Sequence, residues 1–329
     1  MLIYKKEKDT PMHHYPLEVQ NLTKSFFKTS WFLHKSETFT AVNNISFNLQ
    51  EGEILGLLGP NGAGKTTTIH MLIDILTPTS GTIVYFGKDF LRYRSNIFKS
   101  LAYASGYDKL PGRLTVWENL DIFGRLYGIS YPERYRRIKV LLERFALDRF
   151  SNKSTATLSA GQATRVMLAK AFLPNPKIVL LDEPTATLDP EVAQEVRRFI
   201  LEQKEQEGTS IIFTSHNMAE VTELCDRVLM IKSGTIIADS NPAKLAASVK
   251  KARLQLIITE GQNKLLLYLQ EKQIPHNQEA HQVNMEIDEA LVGELLVTIA
   301  RQGISYSHIT LDKPTLEDYF LLHTQAVQR

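Results

Sequence analysis

The residues best equipped for chemistry fall in Gly59-Pro60-Asn61-Gly62-Ala63-Gly64-Lys65-Thr66-Thr67. Two glycines separated by four residues and followed by Lys and Thr give the spacing of a phosphate-binding P-loop. Glycines at 59, 62 and 64 free the backbone from Cβ sterics, so successive amides can converge on phosphate oxygens at a helix N-terminus. Lys65 adds a formal charge, and the Thr66 hydroxyl suits a magnesium ion bridging the outer phosphates. A second pair, Asp182-Glu183, closes the apolar run Ile178-Val179-Leu180-Leu181. Two adjacent carboxylates at a strand end can divide the work. Asp182 can hold magnesium, directly or through water, while Glu183 orients or deprotonates the water that attacks a γ-phosphate.

On either side of the loop, Ile54-Leu55-Gly56-Leu57-Leu58 reads as a buried strand and Thr68-Ile69-His70-Met71-Leu72-Ile73 as helix, the strand, loop and helix order that a P-loop requires. The unbroken apolar run before Asp182 needs cover on both faces, the habit of a parallel sheet whose strand ends face a ligand crevice. Helices at 159–173, 190–207 and 217–224 alternate with strands at 178–181, 210–214 and 227–231, which predicts an α/β core. Upstream, 17–22 alternates like a strand, a mixed stretch carries Trp31, Phe32 and Phe39, and a strand pair is expected around Val42 to Gln50 with Glu51-Gly52 as its turn. Helical patterns dominate from about 90 to 157, with apolar spacing over Val116–Tyr127 and Glu133–Leu147. The run Arg134, Arg136, Arg137, Lys139 reads as a solvated helix face and a candidate docking surface. Residues 1–15 form a loose polar tail, 16–250 the main domain, and a new β-α-β-α-β-α pattern makes 251–329 a small separate α+β domain.

Composition narrows the class. The 329 residues are 43% hydrophobic and 22% charged with a net charge of +2, which implies no strong nucleic-acid field. The single cysteine, Cys225, excludes an intrachain disulfide and reads as a buried structural thiol. No apolar run reaches the ~18 residues of a membrane span, so the chain is expected to be soluble by itself, with any membrane role reached through a partner.

Leu158-Ser159-Ala160-Gly161-Gln162, ahead of Asp182, resembles the signature of the ATP-binding subunits of ABC transporters, with Ala160 in place of the usual glycine. Ser159 and the Gly161 amide sit where a helix begins, another anion site. The resemblance covers 17–250 closely, and Pro314-Thr315-Leu316-Glu317-Asp318-Tyr319-Phe320 is similar to the end of the exporter-like branch. It implies a P-loop core of ABC type with an antiparallel β subdomain and a helical subdomain at about 90–157. It also implies bound ATP and Mg2+, and a composite site in which Ser159, Ala160, Gly161 and Gln162 close on the nucleotide of another chain. His216, within Thr214-Ser215-His216-Asn217, corresponds to the family's switch histidine. Ala186-Thr187-Leu188-Asp189 matches the loop crossing to the partner. Phe26 stands where the family carries an adenine-stacking aromatic, with Phe27 and Trp31 close by and core packing as the alternative.

One departure stands out. Where the family carries a glutamine, this chain has Gly106, and no glutamine occurs between Gln50 and Gln162. Either Ser105 or Asp108 takes its place, or turnover is slower or differently coupled. The resemblance implies an ATPase subunit driving a separate membrane permease from the cytoplasmic face, paired with a second copy or a homologous subunit and engaging no nucleic acid. The alternatives are a soluble ABC protein of translation or DNA repair and a weakly hydrolysing regulator.

Overall fold

The computed structural model describes residues 15–29, 36–106 and 108–324. Trp31, Phe32, Tyr107 and all but the last residue of the expected tail lie outside them. The chain divides into two compact units, one ending at Ser240 and one starting at Asn241. The expected boundary at 250 therefore moves: the helix Pro242–Ala247 packs on the helix Leu316–Thr324 and belongs to the second unit.

In the first unit a six-stranded sheet runs Thr235–Ser240, Arg227–Lys232, Ile54–Leu58, Ser210–Thr214, Ile178–Asp182, Leu101–Ser105. All neighbours are parallel except the first pair. Three central strands are buried at every residue, which explains why they are apolar throughout rather than alternating. Leu101–Ser105 lies inside the stretch expected to be helical; its sequence, Leu-Ala-Tyr-Ala-Ser, carries little β-branched character, and pairing with Ile178–Asp182 decides its conformation.

A second, antiparallel sheet orders Ser36–Leu49, Leu17–Thr29, Ser80–Tyr85 and Lys88–Asp89. The expected strand pair around 42–50 is instead one long strand, with Leu49 opposite Leu17 and Phe39 opposite Phe26. The turn at Glu51-Gly52 hands the chain from this sheet to the P-loop strand, with Gly52 at φ +65. Leu17, Leu49 and Tyr85 share one core with Leu55, Leu57, Leu180 and Ile212, so both sheets are fastened by the same apolar cluster. Cys225 is buried as expected.

The helices Val116–Leu126 and Tyr131–Arg144 form the helical part, the first begun by a capping box of Thr115 and Glu118. The basic run is divided: Arg136 and Lys139 lie on an exposed helix face as expected, but Arg134 does not. Arg134 is 5% exposed and pairs with Asp121, while Arg136 and Arg137 both bind Glu133. Among the described residues no helix is long and apolar enough to cross a membrane.

The second unit reads α-β-α-β-β-α-β-α, beginning with the helix Pro242–Ala247, with strands Lys251–Glu260, His276–Glu279, Gln282–Asp288 and Ser305–Asp312. His276–Glu279 is additional to the expected pattern; its polar His-Asn-Gln-Glu carries no apolar alternation, and the hairpin with Gln282–Asp288 supplies its order. The sheet buries Leu254, Leu256, Val283 and Met285 against Leu265, Leu269, Leu295 and Ile299 of the helices, giving an α+β unit.

Candidate nucleotide-binding site

The apolar strand Ile54–Leu58 ends at the loop, and the helix Lys65–Leu72 starts directly after Gly64. Gly64 has φ +109, and a Cβ there would lie 2.5 Å from the Ala41 carbonyl oxygen, so two separate constraints demand glycine. Asn61 through Thr67 line a cavity of about 500 Å³, the size of a small-molecule site. Gly59 and Pro60 lie off the cavity lining, and their carbonyls accept from Lys65 Nζ at 2.6 and 3.2 Å. Burial lowers the Lys65 pKa, opposed by Glu183 and Asp182.

Register brings the remaining groups to the same cavity. In the parallel sheet Ser105 stands level with Asp182, and Asp182 with Thr214, so their strand ends open on one crevice. Asp182, Glu183, His216, Ser105 and Asp108 all line it. Thr214 Oγ1 donates to Asp182 Oδ1 at 2.5 Å and accepts from the Glu183 amide at 3.0 Å, tying the two carboxylates to the next strand. Glu183 takes φ +52, a left-handed conformation that is unfavourable for a residue with a Cβ. The His216 amide donates to Glu183 Oε2 at 3.2 Å. His216 Nε2 approaches Oε1 at 3.1 Å, but the alignment leaves buried Oε1 without a hydrogen bond. Burial raises the Glu183 pKa, helped by Asp182 and opposed by His216 and Lys65. Asp108 is likewise pushed up by burial, with Lys170 and His70 pulling the other way.

Gly106 explains its own lack of a side chain. Its amide donates to the Asp182 carbonyl at 3.0 Å, and a Cβ would sit 2.5 Å from the Glu183 carbonyl oxygen. The loop is pressed onto the backbone of the carboxylate pair, so any side chain at 106 requires that backbone to shift. Phe26 and Phe39 also line the cavity, directly opposed across two strands. Lys24 Nζ lies 5.2 Å from the centre of the Phe26 ring.

The remaining expected site residues are elsewhere. Ser159 caps the helix Ala160–Phe172, bonded reciprocally to Gln162 (3.3 and 3.1 Å). Ser159 and Ala160 are exposed, and with Gly161 and Gln162 they line no part of the cavity. Asp189, at the start of the helix Pro190–Glu207, is exposed, and its side chain makes no capping bond. Thr187, two residues before it, meets Thr164 of the signature helix through their hydroxyls at 2.8 Å.

This chain has many relatives. A family profile described as ABC transporter matches residues 42–186, and one described as AAA domain, putative AbiEii toxin, Type IV TA system matches 156–222. The chain is 38% identical over 207 residues to the ABC transporter ATP-binding protein NatA of Bacillus subtilis, covering 63% of this chain and 84% of NatA. The chain belongs to the ABC transporter ATP-binding proteins. This ABC ATPase is also 31% identical over 284 residues to the bacitracin transport ATP-binding protein BcrA of Bacillus licheniformis, covering 85% and 91% of the two chains. Among solved structures it resembles cbiO1 from Clostridium perfringens, part of the ABC transporter complex cbiONQ, with TM-score 0.60, 28% identity and coverage of 71% and 92%. As an ABC ATPase subunit it binds and hydrolyses ATP. Sequence reasoning missed four cavity residues: Phe39, Ala41, His70 and Tyr103. Phe39 could have been found only with the register that sets it opposite Phe26.

Proposed function

We propose that this ABC ATPase binds ATP with magnesium in the cavity, hydrolyses it across an interface between two such chains, and thereby drives export through a separate integral-membrane permease at the cytoplasmic face of the membrane. The observation that carries this is a division of labour: Lys65, Asp182, Glu183 and His216 share one cavity, while Ser159–Gln162 and Asp189 lie outside it, with Ser159, Ala160 and Asp189 exposed. A half-site of this kind is completed by a second copy or a homologous subunit. The names of NatA, BcrA and cbiO1 support the permease and the transport role.

Magnesium fits the donor set. Among the described residues no group of three or more His, Cys, Asp or Glu could hold a metal alone, so the ion fits as one shared by nucleotide phosphates, the Thr66 hydroxyl and Asp182. When bound it neutralises charge on the phosphates. Lys65 supplies a fixed charge at the loop, and the amides of the first helical turn bind anionic oxygen. Glu183, with a pKa raised by burial, is a stronger base than an exposed glutamate and takes the proton of the attacking water. His216 holds that carboxylate in place. Phe26 and Phe39 offer ring faces to the base.

The test measures phosphate release with the permease present, and association by light scattering. Lys65→Ala is expected to abolish turnover. Glu183→Gln keeps ATP affinity, loses turnover and accumulates an ATP-bound dimer. Unchanged turnover in Lys65→Ala, or a monomeric and fully active Glu183→Gln, would overturn the reading.

A further inference from the structure

Glu220, in the helix Met218–Leu224, is a carboxylate only 5% exposed. Its Oε2 accepts from the Thr185 hydroxyl at 2.7 Å and the Ser215 hydroxyl at 2.8 Å, and its Oε1 accepts from Arg197 at 3.0 Å. The two hydroxyls come from different loops. Thr185 lies two residues beyond Glu183, in the segment that ends in Asp189; Ser215 precedes His216. Ser215 Oγ also accepts from the Asn217 amide at 3.1 Å, so the turn carrying His216 is pinned on both sides. Burying a carboxylate costs free energy unless it is paired and hydrogen-bonded, and an apolar side chain would fill the space at lower cost. What the charge adds is a joint between two loops that flank Glu183.

We propose that Glu220 is a positioning residue for ATP hydrolysis: through Thr185 and Ser215 it locks the His216 turn to the 184–189 loop, so Glu183 is oriented only when both are in place. Thr187 extends the joint to the signature helix through Thr164. Engagement of that helix by another chain's nucleotide therefore reaches His216 of this chain through packed, hydrogen-bonded groups. This last step rests on the two-chain reading above.

The experiment compares steady-state ATP hydrolysis by the full chain with its permease for Thr185→Val, Thr185→Ser, Ser215→Ala, the Thr185→Val/Ser215→Ala pair and Glu220→Gln. Losing a hydrogen bond to a buried charge is worth roughly 10- to 100-fold, and that loss is expected in kcat for Thr185→Val, with KM for ATP changed less than about twofold. Thr185→Ser keeps the hydroxyl and restores turnover. The double variant is no worse than its more damaged single, because both act through one carboxylate. Melting temperatures taken in parallel identify any variant that fails to fold, in which case Ser215→Ala and Glu220→Gln carry the comparison. Wild-type kcat in Thr185→Val, equal loss in Thr185→Val and Thr185→Ser, or additive losses in the pair would overturn the role of Glu220. Lys65→Ala serves as the reference: if it retains turnover, the site itself has been misread; if it is dead while Thr185→Val is normal, only Glu220 has been.

Discussion

Gly106 gives the sharpest prediction, and it reverses the expectation drawn from family resemblance alone. If the missing glutamine were simply a lost water-positioning group, Gly106→Gln should speed turnover. The geometry says otherwise. A Cβ at 106 would stand 2.5 Å from the Glu183 carbonyl oxygen, against the 3.4 Å at which ordinary van der Waals contact begins, so the backbone of Glu183 must yield by about 0.9 Å. Displacing a catalytic group by ~1 Å can cost about 10²-fold in rate. Forcing an extra carbon into a packed site costs ~1–3 kcal/mol, which corresponds to a melting shift of about 2–12 °C for a domain of this size. Gly106→Ala, which adds only the Cβ, is therefore expected to lose most of its turnover and melt a few degrees lower. ATP affinity should hold, because the contact is with Glu183 and not with the phosphate loop. Gly106→Gln is expected to fare no better. Phosphate release, equilibrium nucleotide binding and thermal unfolding on the same samples decide it. A Gly106→Gln protein that turns over faster than wild type, at an unchanged melting temperature, would refute the reasoning.

Asp108 also stands on the cavity wall, and Asp108→Ala is expected to lower turnover by about 10²-fold or more, in the range of lost acid–base or water-orienting groups; wild-type turnover would remove it from the chemistry. Phe26→Ala and Phe39→Ala each should raise the KM for ATP by roughly 5- to 100-fold, the worth of one base–aromatic stack, with kcat at saturation preserved, and an unchanged KM for Phe39→Ala would show that the base does not reach it. Glu183 has its folded pKa raised above the usual 4.5, so as pH rises through that window the unfolded chain loses its proton first and stability falls. Glu183→Gln, which cannot ionise, should therefore melt higher than wild type at pH 7 without nucleotide, the gap closing toward pH 4; calorimetry showing the reverse order would contradict the assigned burial.

The phosphate loop, the carboxylate pair and the signature were legible because each is a contiguous run whose local chemistry implies its conformation. The convergence of the phosphate loop and the carboxylate pair on one cavity was legible too, since apolar strands ending in polar residues open on a common crevice in a parallel sheet. What stayed hidden depends on partners distant in sequence. Leu101–Ser105 and His276–Glu279 have weak strand patterns and are ordered by the strands beside them. Arg134 reads as one more charge on a helix face until Asp121 is found beside it. Glu220 shows no signal in its own neighbourhood; only the fold brings Thr185 and Ser215 to it. The glycine at 106 was visible as a departure, but its cause, the Glu183 backbone against its Cα, is purely tertiary.

Glu183 occupies a backbone conformation, φ +52, that glycine or asparagine adopts more readily. The proposed base therefore stands at a position where its own side-chain type is locally disfavoured by about 1–3 kcal/mol. Were the chain under pressure only to fold and to hold nucleotide, drift at this codon would run downhill toward residues that relax the strain, since most proteins sit near the threshold of stability they need. Keeping glutamate there works against that slope. In a population, variants at 183 should thus separate two kinds of selection that are usually entangled: those that fold better and transport nothing, and those that tolerate a strained joint in exchange for turnover.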